Sequence, residues 1–448
     1  MRTKKHRWTA LLLVFADLVS VLLVFNLVAL IYLRGIALEP LAWPLAAPFL
    51  VFALSIHLID GYGANADMLS LDFASMHLIA SFFAALVTLL LTFAFIPAGF
   101  ELQSSRAVII ISFGVLGALT LAYRRVVYER FLISRADRHI VFAGAQEDFD
   151  AFSAECVRLG MRYPLIHLNA AAGPESFGSV LSSIAESRLL VEAIVVKESF
   201  KGLPPEVPEK LVQLCFDGTP TYTLEIFHQI YWRKIPLYRI NPIWLFQEGF
   251  KVAREPVFER IKRCSDVVFA VLGLAVSAPV ICVAAVAIKL DDGGPVFFVQ
   301  TRVGRHKAPF KLVKLRSMRR ADGAGDPYTR PGDTRITRVG KWLRAARLDE
   351  LPQLWNVLRG EMSLIGPRAE WDRLVSDYER EIPCYNFRHL VKPGITGWAQ
   401  VNYRYGSGVQ DTQRKLEYDL YYIRNYSFML DASIVLKTVD VMLLRKGR

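Results

Sequence analysis

Asp349 and Glu350 are adjacent carboxylates inside the run Arg347-Leu-Asp-Glu-Leu-Pro-Gln-Leu-Trp-Asn-Val-Leu. Around them the chain is basic: fourteen lysines and arginines lie between Arg302 and Arg347, opposed only by Asp322, Asp326 and Asp333. A basic surface gathers anions such as phosphates. A carboxylate pair embedded in it can hold a divalent cation or attack an electrophilic phosphorus. The same pair can equally be an acidic helix terminus tied up in salt bridges.

The elements that must position the pair are legible on either side of it. Gly294-Pro-Val-Phe-Phe-Val-Gln-Thr-Arg-Val-Gly and Pro309-Phe-Lys-Leu-Val-Lys-Leu-Arg-Ser-Met read as two strands joined by the Arg305-His-Lys-Ala turn. In the second strand, Lys311, Lys314 and Arg316 are expected to form one basic face. Thr337–Leu348 reads as a basic amphipathic helix, which brings Arg344 and Arg347 within about a turn of Asp349. Pro352 restricts how the helix continues, so the carboxylates fall near a helix end. Trp342, Trp355, Trp371 and Trp398 suit the depth of a membrane interface, or a protein core.

At 448 residues the chain is long enough for two or three domains. It is 53% hydrophobic, with mean hydropathy +0.29 and net charge +12. That balance points to a membrane protein whose polar face meets anionic lipid or phosphate. No nucleic-acid motif accompanies the basic charge. Five cysteines without metal-ligand spacing read as reduced thiols.

Apolar runs at Trp8–Leu33, Leu45–Ile59, Met76–Ile96 and Ala107–Tyr123 approach the ~20 residues that cross a bilayer, the second being shortest. The first is too long for a cleaved leader and reads as an anchor. Arg2, Lys4, Lys5 and Arg7 precede it, and Arg124, Arg125 and Arg130 follow the fourth, so both ends are expected on the cytoplasmic side. Asp17 and Asn26, inside the first run, are expected to hydrogen-bond between helices.

From Asp137 the composition becomes that of a soluble protein. Arg138-His-Ile-Val-Phe-Ala-Gly-Ala, Tyr163–Leu168 and Leu189–Val196 read as strands, and Glu147–Leu159 as a helix, which implies a parallel α/β sheet. Only Gly144 stands where a dinucleotide fingerprint needs three glycines, and Glu147 and Asp148 would repel a pyrophosphate. A structural or regulatory role is therefore expected of this module. Residues 231–259 read as a connector. Asp266–Lys289 is apolar and long enough to span, but Arg260, Lys262, Arg263 and Lys289 flank it with positive charge at both ends. Ser277 and Pro279 sit mid-segment. They favour a kinked helix that enters the membrane and returns, with the Ser277 hydroxyl serving the carbonyl that proline frees.

Taken together, Gly-Pro-Val-Phe-Phe-Val-Gln-Thr-Arg-Val-Gly, Lys-Leu-Arg-Ser-Met, Thr-Arg-Val-Gly, Leu-Asp-Glu-Leu-Pro-Gln-Leu-Trp-Asn-Val-Leu, Gly-Glu-Met-Ser-Leu-Ile-Gly-Pro-Arg and Lys-Pro-Gly-Ile-Thr-Gly-Trp-Ala-Gln-Val-Asn, in this order, resemble the bacterial sugar transferase family, the monotopic polyprenyl-phosphate phosphoglycosyl transferases. The resemblance covers about residues 260–448. Ala369 departs from the proline usual after Gly-Pro-Arg. The apolar runs and the α/β module resemble the large form of the family. The fold this implies is a four-helix transmembrane bundle (1–130), a Rossmann-like α/β module (131–230), a connector (231–259) and a mixed α/β catalytic domain (260–448) with a re-entrant helix at 266–289.

The resemblance also implies an activity: transfer of a sugar 1-phosphate from a UDP-sugar to undecaprenyl phosphate, with release of UMP. The reaction passes through a covalent enzyme intermediate and is the first membrane step of exopolysaccharide, capsule or O-antigen synthesis. Asp349 matches the family's nucleophile and its Mg²⁺ contact, and Glu350 the assisting carboxylate. Arg344 and Arg368 match phosphate-binding arginines, and Lys314 and Arg316 are further candidates for that work. Expected surroundings are the inner membrane, with the catalytic domain facing the cytoplasm. Partners the resemblance allows include a second copy of the chain as a homodimer and downstream glycosyltransferases. One rival is a metal-dependent glycosyltransferase that releases UDP and uses Asp291-Asp292 as its clamp, although Asp-Asp-Gly-Gly-Pro also has the chemistry of a solvated turn. The other is a membrane scaffold or nucleotide-sensing regulator of polysaccharide export. The segment Tyr403-Arg-Tyr-Gly-Ser-Gly is a candidate for sugar specificity, and nothing in it selects one sugar.

Overall fold

The computed structural model describes residues 2–32, 45–59, 61–62, 68–69, 71–95, 106–132, 138–161, 163–169, 174–186, 188–197, 206–237, 256–319, 333–403, 406 and 408–443. Connector residues 238–255, Asp322, Asp326, and Arg404, Tyr405 and Ser407 of the specificity segment lie outside the described residues. The chain divides into two compact units, residues 1–137 and 138–448.

The first unit is helical: α1 (Arg2–Tyr32), α2 (Ala46–Leu58), α3 (Leu71–Phe95) and α4 (Arg106–Val127). Apolar residues cover these helices on all sides, so one set packs inward while another stays exposed. Phe25, Phe52, Phe113 and Leu116 form a core, whereas Leu11, Phe15, Leu23 and Phe82 point outward. This is the pattern of helices solvated by lipid. Ala10–Tyr32, Phe73–Thr92 and Arg106–Arg130 are long and apolar enough to cross a membrane. The second expected span is not: α2 has 13 residues, about 20 Å of helix against ~30 Å of hydrocarbon. Asp17 bonds between helices, as its setting requires. It forms a fully buried ion pair with Arg124 at 2.5 Å and accepts hydrogen bonds from Tyr62 and Tyr123. Arg124 is thus consumed inside the bundle and is not a flanking cytoplasmic charge. Asn26 donates to the Leu22 carbonyl of its own helix at 2.6 Å.

The second unit begins with four parallel strands in the order β2-β1-β3-β4: β1 (Arg138–Gly144), β2 (Leu165–Asn169), β3 (Leu190–Val196) and β4 (Thr221–Thr223). The helices α5 (Gln146–Arg158), α6 (Pro174–Ala185) and α7 (Glu206–Phe216) connect them, and the short α8 (Leu224–Phe227) follows. Ile140–Ala143 and Ala193–Val196 are buried, as strands covered on both faces must be.

After 256 comes α9 (Pro256–Asp292), a 37-residue helix with Pro279 inside it. Ser277 reaches the Leu274 carbonyl at a long 3.5 Å, not the Ala275 carbonyl whose partner the proline removes. The hairpin β5 (Phe297–Val303) and β6 (Pro309–Leu315) is antiparallel, and β8 (Glu370–Trp371) adds to it in the order β6-β5-β8. The expected single basic face of β6 does not form. A strand alternates with period two, so Lys314 shares a face with Phe310 and Leu312 while Lys311 points the other way. The remaining elements are α10 (Arg338–Ala345), α11 (Gln353–Arg359), β7 (Ser363–Ile365), α12 (Asp372–Glu381), β9 (Gly394–Thr396), α13 (Trp398–Asn402), α14 (Val409–Arg424) and α15 (Phe428–Leu443). A core of Tyr378, Tyr385, Leu416, Leu420, Tyr422 and Ile434 holds α12 to α15 together, while α10 and α11 pack in clusters with α9 and β6.

Both ends of α9 pack on this one body. Near its start, Arg263 donates to the last carbonyls of α11, at Val357 (2.5 Å) and Leu358 (2.7 Å), and Asp266 accepts from Ser363 and the Leu364 amide. Near its end, Ala284 and Ile288 pack with Leu315 and Leu343, and Asp291 accepts from the Val339 amide. Between the ends, Val268, Phe269, Leu272, Val276 and Val283 stay exposed. The four tryptophans divide, Trp371 being half-buried. Trp342 and Trp355 are 80% and 53% exposed, whereas Trp398 is buried and donates to the Arg233 carbonyl.

Candidate functional site

Thr337 caps α10, its hydroxyl accepting from the Gly340 amide at 2.9 Å. The helix closes at Ala345 and the chain turns through Arg347, which takes left-handed φ 54°. A single 3-10 turn, Leu348–Glu350, then carries both carboxylates. Pro352 stands just before α11, where its fixed φ suits a helix start and its missing N–H costs nothing. Leu348 anchors the turn in the cluster below α10, and Leu354 and Val357 anchor α11 against α9 and β6. Asp349 and Glu350 are therefore held from both sides on a short rigid turn.

The residues expected to work with them arrive from β6 and from the segment between β7 and β8. Lys314 on β6 reaches Glu350 Oε1 at 3.3 Å, and Arg368 reaches the same oxygen at 3.1 Å. Arg368 is positioned by backbone pairing. It bridges to Gly394, whose amide donates to Pro367, while the Gly366 amide donates to Thr396. The backbones approach so closely that a Cβ on Gly394 would collide with the Gly366 amide. This is why the Gly-Pro-Arg and Pro-Gly-Ile-Thr-Gly segments need their glycines.

Asn356, fully buried, locks α11 to β6. Its amide donates to the Lys311 carbonyl (2.8 Å) and to Glu361, and its oxygen accepts from the Val313 amide (3.1 Å). Arg388, also buried, donates to the Arg368 carbonyl at 2.9 Å, to Asp419 at 3.0 Å and to Tyr385. Arg302 donates to the Ala369 carbonyl and pairs with Glu370. None of these supporting side chains stands out in the sequence, because each bonds to backbone or to distant partners.

Arg344 lies close enough for its charge to favour ionised Asp349, and its guanidinium contacts the Met318 sulfur. Arg316 is not brought to the dyad. It pairs with Asp292 at the end of α9. That pairing, with the Asp291 bond to the Val339 amide, also occupies the second acidic pair in helix-end contacts and leaves it no clamp geometry. Pro279 lies exposed in the apolar middle of α9, and Ser277 beside it is buried.

The electrostatics separate the two carboxylates. Burial works to raise Glu350, but Arg368 and Lys314 override it and hold the carboxyl down at about 2. Asp349 is pushed up, first by burial and then by the neighbouring Glu350 charge. Burial, and then the Arg368 charge, bring Lys314 down to about 8. Glu350 is thus committed to its two cations, while Asp349 makes no such pair among the described residues. Magnesium typically takes one or two carboxylates and completes its shell with substrate phosphate and water. Asp349 fits that modest demand. No group of three or more potential ligands gathers among the described residues.

The bacterial sugar transferase family model matches residues 257–445. A UDP-N-acetylgalactosamine-undecaprenyl-phosphate N-acetylgalactosaminephosphotransferase of Aeromonas hydrophila is 47% identical over 42% of this chain and 45% of its own length. A UDP-glucose:undecaprenyl-phosphate glucose-1-phosphate transferase of Caulobacter vibrioides is 46% identical over 41% of this chain and 69% of its own length. A protein of Rhizobium leguminosarum called exopolysaccharide production protein PSS is 40% identical over 40% of this chain and 93% of its own length. The match thus spans less than half of the Aeromonas relative and nearly all of the Rhizobium one. The family match falls in the part of the chain that builds the dyad turn, its cations and α9, and the chain belongs to the bacterial sugar transferase family.

Proposed function

We propose that this chain transfers a sugar 1-phosphate from a UDP-sugar to undecaprenyl phosphate, giving undecaprenyl-diphosphate-sugar and UMP. The observation that carries the reading is the division of labour in the dyad: one carboxylate neutralised by Lys314 and Arg368, the other unpaired among the described residues. An Asp349 oxygen attacks the β-phosphorus of the donor. The bond from that phosphorus to the bridging oxygen breaks, and UMP leaves with the electron pair. The resulting aspartyl phosphosugar is then attacked by a phosphate oxygen of the lipid acceptor, which frees the carboxylate. Splitting one displacement into two is what a carboxylate nucleophile offers.

Arg368, Lys314 and Arg344 offset the charge of the diphosphate and of the phosphoryl transition state. Glu350 fixes the first two of these. Held at about 2, it is too weak a base to take a proton at neutral pH. Magnesium, held by Asp349 and substrate phosphate, would supply further neutralisation of the diphosphate.

Several features support a membrane setting for this chemistry. Three helices of the first unit are apolar enough to cross a bilayer. Both ends of α9 dock on one body while its middle is apolar and exposed, which favours a helix that enters the membrane and returns. Trp342 and Trp355 lie exposed on α10 and α11, beside the dyad turn, and suit a bilayer surface. A UDP-sugar donor requires that surface to face the cytoplasm.

The strand order of the parallel sheet suits a Rossmann-like module. At its carboxyl edge, where a nucleotide would sit, Asp148 pairs with Lys197 and Phe149 stacks on His167. Those contacts favour a structural or regulatory role, and Lys234 links Glu155 of this module to Glu417 of α14. The test is a panel of UDP-sugars with undecaprenyl phosphate and membranes, with and without a magnesium chelator. UMP release from one or more donors, abolished by the chelator, is expected. UDP release, or sugar transferred without its phosphate, contradicts the reading.

A further inference from the structure

Beside the dyad lies a crevice bordered by Arg302, Lys314, Gln353, Arg368 and the backbone at Gly394. It encloses about 230 Å³, mouth included. Most of that is open solvent at the mouth: the enclosed part has room for about one water-sized group, so it suits a single phosphate oxygen. The polar side chains on its wall are donors: an ammonium, two guanidiniums and an amide.

Gln353 is the unexplained member. It is only 3% exposed, and its amide nitrogen is buried without a hydrogen-bond partner among the described residues. The Arg302 Nε is in the same state, although its terminal nitrogen serves Ala369 and Glu370. Leaving a buried donor unpaired costs free energy comparable to a lost hydrogen bond, and native structures do it rarely. Gln353 is also the first residue of α11, four positions after Asp349, on the element that Asn356 and Pro352 hold rigid.

We infer that Gln353 is a substrate-binding residue: its amide donates to a phosphate oxygen seated in this crevice, with Arg302 Nε as a second donor. The inference rests on the transferase reading for the identity of the anion. A phosphate oxygen could come from the diphosphate of the sugar nucleotide or from the phosphate of the lipid acceptor. A neutral amide suits the place because it adds a donor not yet paired beside Lys314 and Arg368, whose charges Glu350 already offsets in part.

The test uses the full chain in detergent and inorganic pyrophosphate as probe. Gln353→Met keeps the volume and removes the donor, so the melting temperature should hold. Pyrophosphate affinity, by calorimetry, should fall roughly tenfold or more, the scale of one hydrogen bond to a charged group. Gln353→Glu keeps the shape and replaces the donor by a charge; it should abolish binding and serves if the first variant folds poorly. Two rates then assign the oxygen. A slower burst of UMP from donor alone points to the nucleotide diphosphate, and a loss confined to transfer onto undecaprenyl phosphate points to the acceptor. Wild-type pyrophosphate affinity in both variants, or no pyrophosphate binding by the wild type, overturns the inference. A wild type that binds pyrophosphate but releases UMP from no UDP-sugar would sink the transferase reading and leave the anion subsite standing.

Discussion

At the scale of single residues, the site works by giving two neighbouring carboxylates opposite surroundings. Glu350 shares Lys314 and Arg368, and Asp349 has burial and a like charge beside it. Titration should follow that division. In the proposed reaction Asp349 must be ionised to attack, and its upward shift should move the acid limb of the pH–rate profile above the ordinary aspartate range. Glu350, at about 2, stays ionised throughout. Lys314 at about 8 loses its charge as the pH rises through that value, which removes one of the cations beside the phosphate. Its folded value lies below the ordinary 10.5. The folded protein therefore binds fewer protons than the unfolded chain between these values, and stability there rises with pH. A falling rate above about pH 8 in a protein that melts no earlier is the expected result. A flat alkaline profile would remove Lys314 from the reaction.

Arg368→Lys should lower turnover at least tenfold, because an ammonium cannot reproduce the planar fork on both Glu350 and a phosphate. Wild-type kinetics in that variant would count against the role given to the guanidinium. The dyad was readable as a carboxylate pair in a basic run, and Arg368 only through the family resemblance. Arg388, Asn356 and Gln353 were not, since nothing in their spacing reveals that they are buried against backbone.

Among the elements, the tight turn that carries the dyad was legible, because Pro352 limits how α10 can continue. The hairpin was legible for the same kind of reason, from two apolar runs around a short polar turn. Its faces were misjudged: Lys311 and Lys314 are three apart, and an odd spacing puts side chains on opposite faces of a strand. What makes β6 a platform is Asn356, two of whose three hydrogen bonds fasten α11 to the strand that carries Lys314. Asn356→Ala should cost about 2–3 kcal/mol in a denaturant titration, since it strands a buried strand amide and Glu361. It should lower turnover even where the protein remains folded. An Asn356→Ala enzyme with native stability and rate would show that the platform is set by something else. The apolar α9 could not be assigned from composition, which fits a crossing helix as well as a returning one. Its two docked ends argue for return. Single cysteines placed at Arg260 and Lys289 should be labelled by an impermeant reagent from the same side of sealed vesicles, and labelling from opposite sides would mean that α9 crosses.

For the whole molecule, each part could be read only as far as its own physics reaches. Apolar length identified three long helices of the first unit, but it overestimated α2, whose 13 residues are too few to cross. It also counted Arg124 as a flanking charge, although Asp17 draws it into the bundle. The parallel strands were readable from β-branched runs, yet the short β4, with only three residues, carries no such signal. The link from the α/β module to the catalytic body through Glu155, Lys234 and Glu417 spans more than 260 positions, and no local pattern records it. What unites these parts is a requirement of the proposed chemistry: a water-soluble diphosphate and a membrane-bound phosphate must meet at one carboxylate.

That carboxylate provides the most direct test. The full chain is mixed with a UDP-sugar and no lipid acceptor, quenched, digested and examined by mass spectrometry. The account predicts a phosphosugar ester on Asp349, formed with one equivalent of UMP, cleared on adding undecaprenyl phosphate, and absent from Asp349→Asn. An enzyme that turns over with both substrates yet carries no adduct at Asp349 would contradict it.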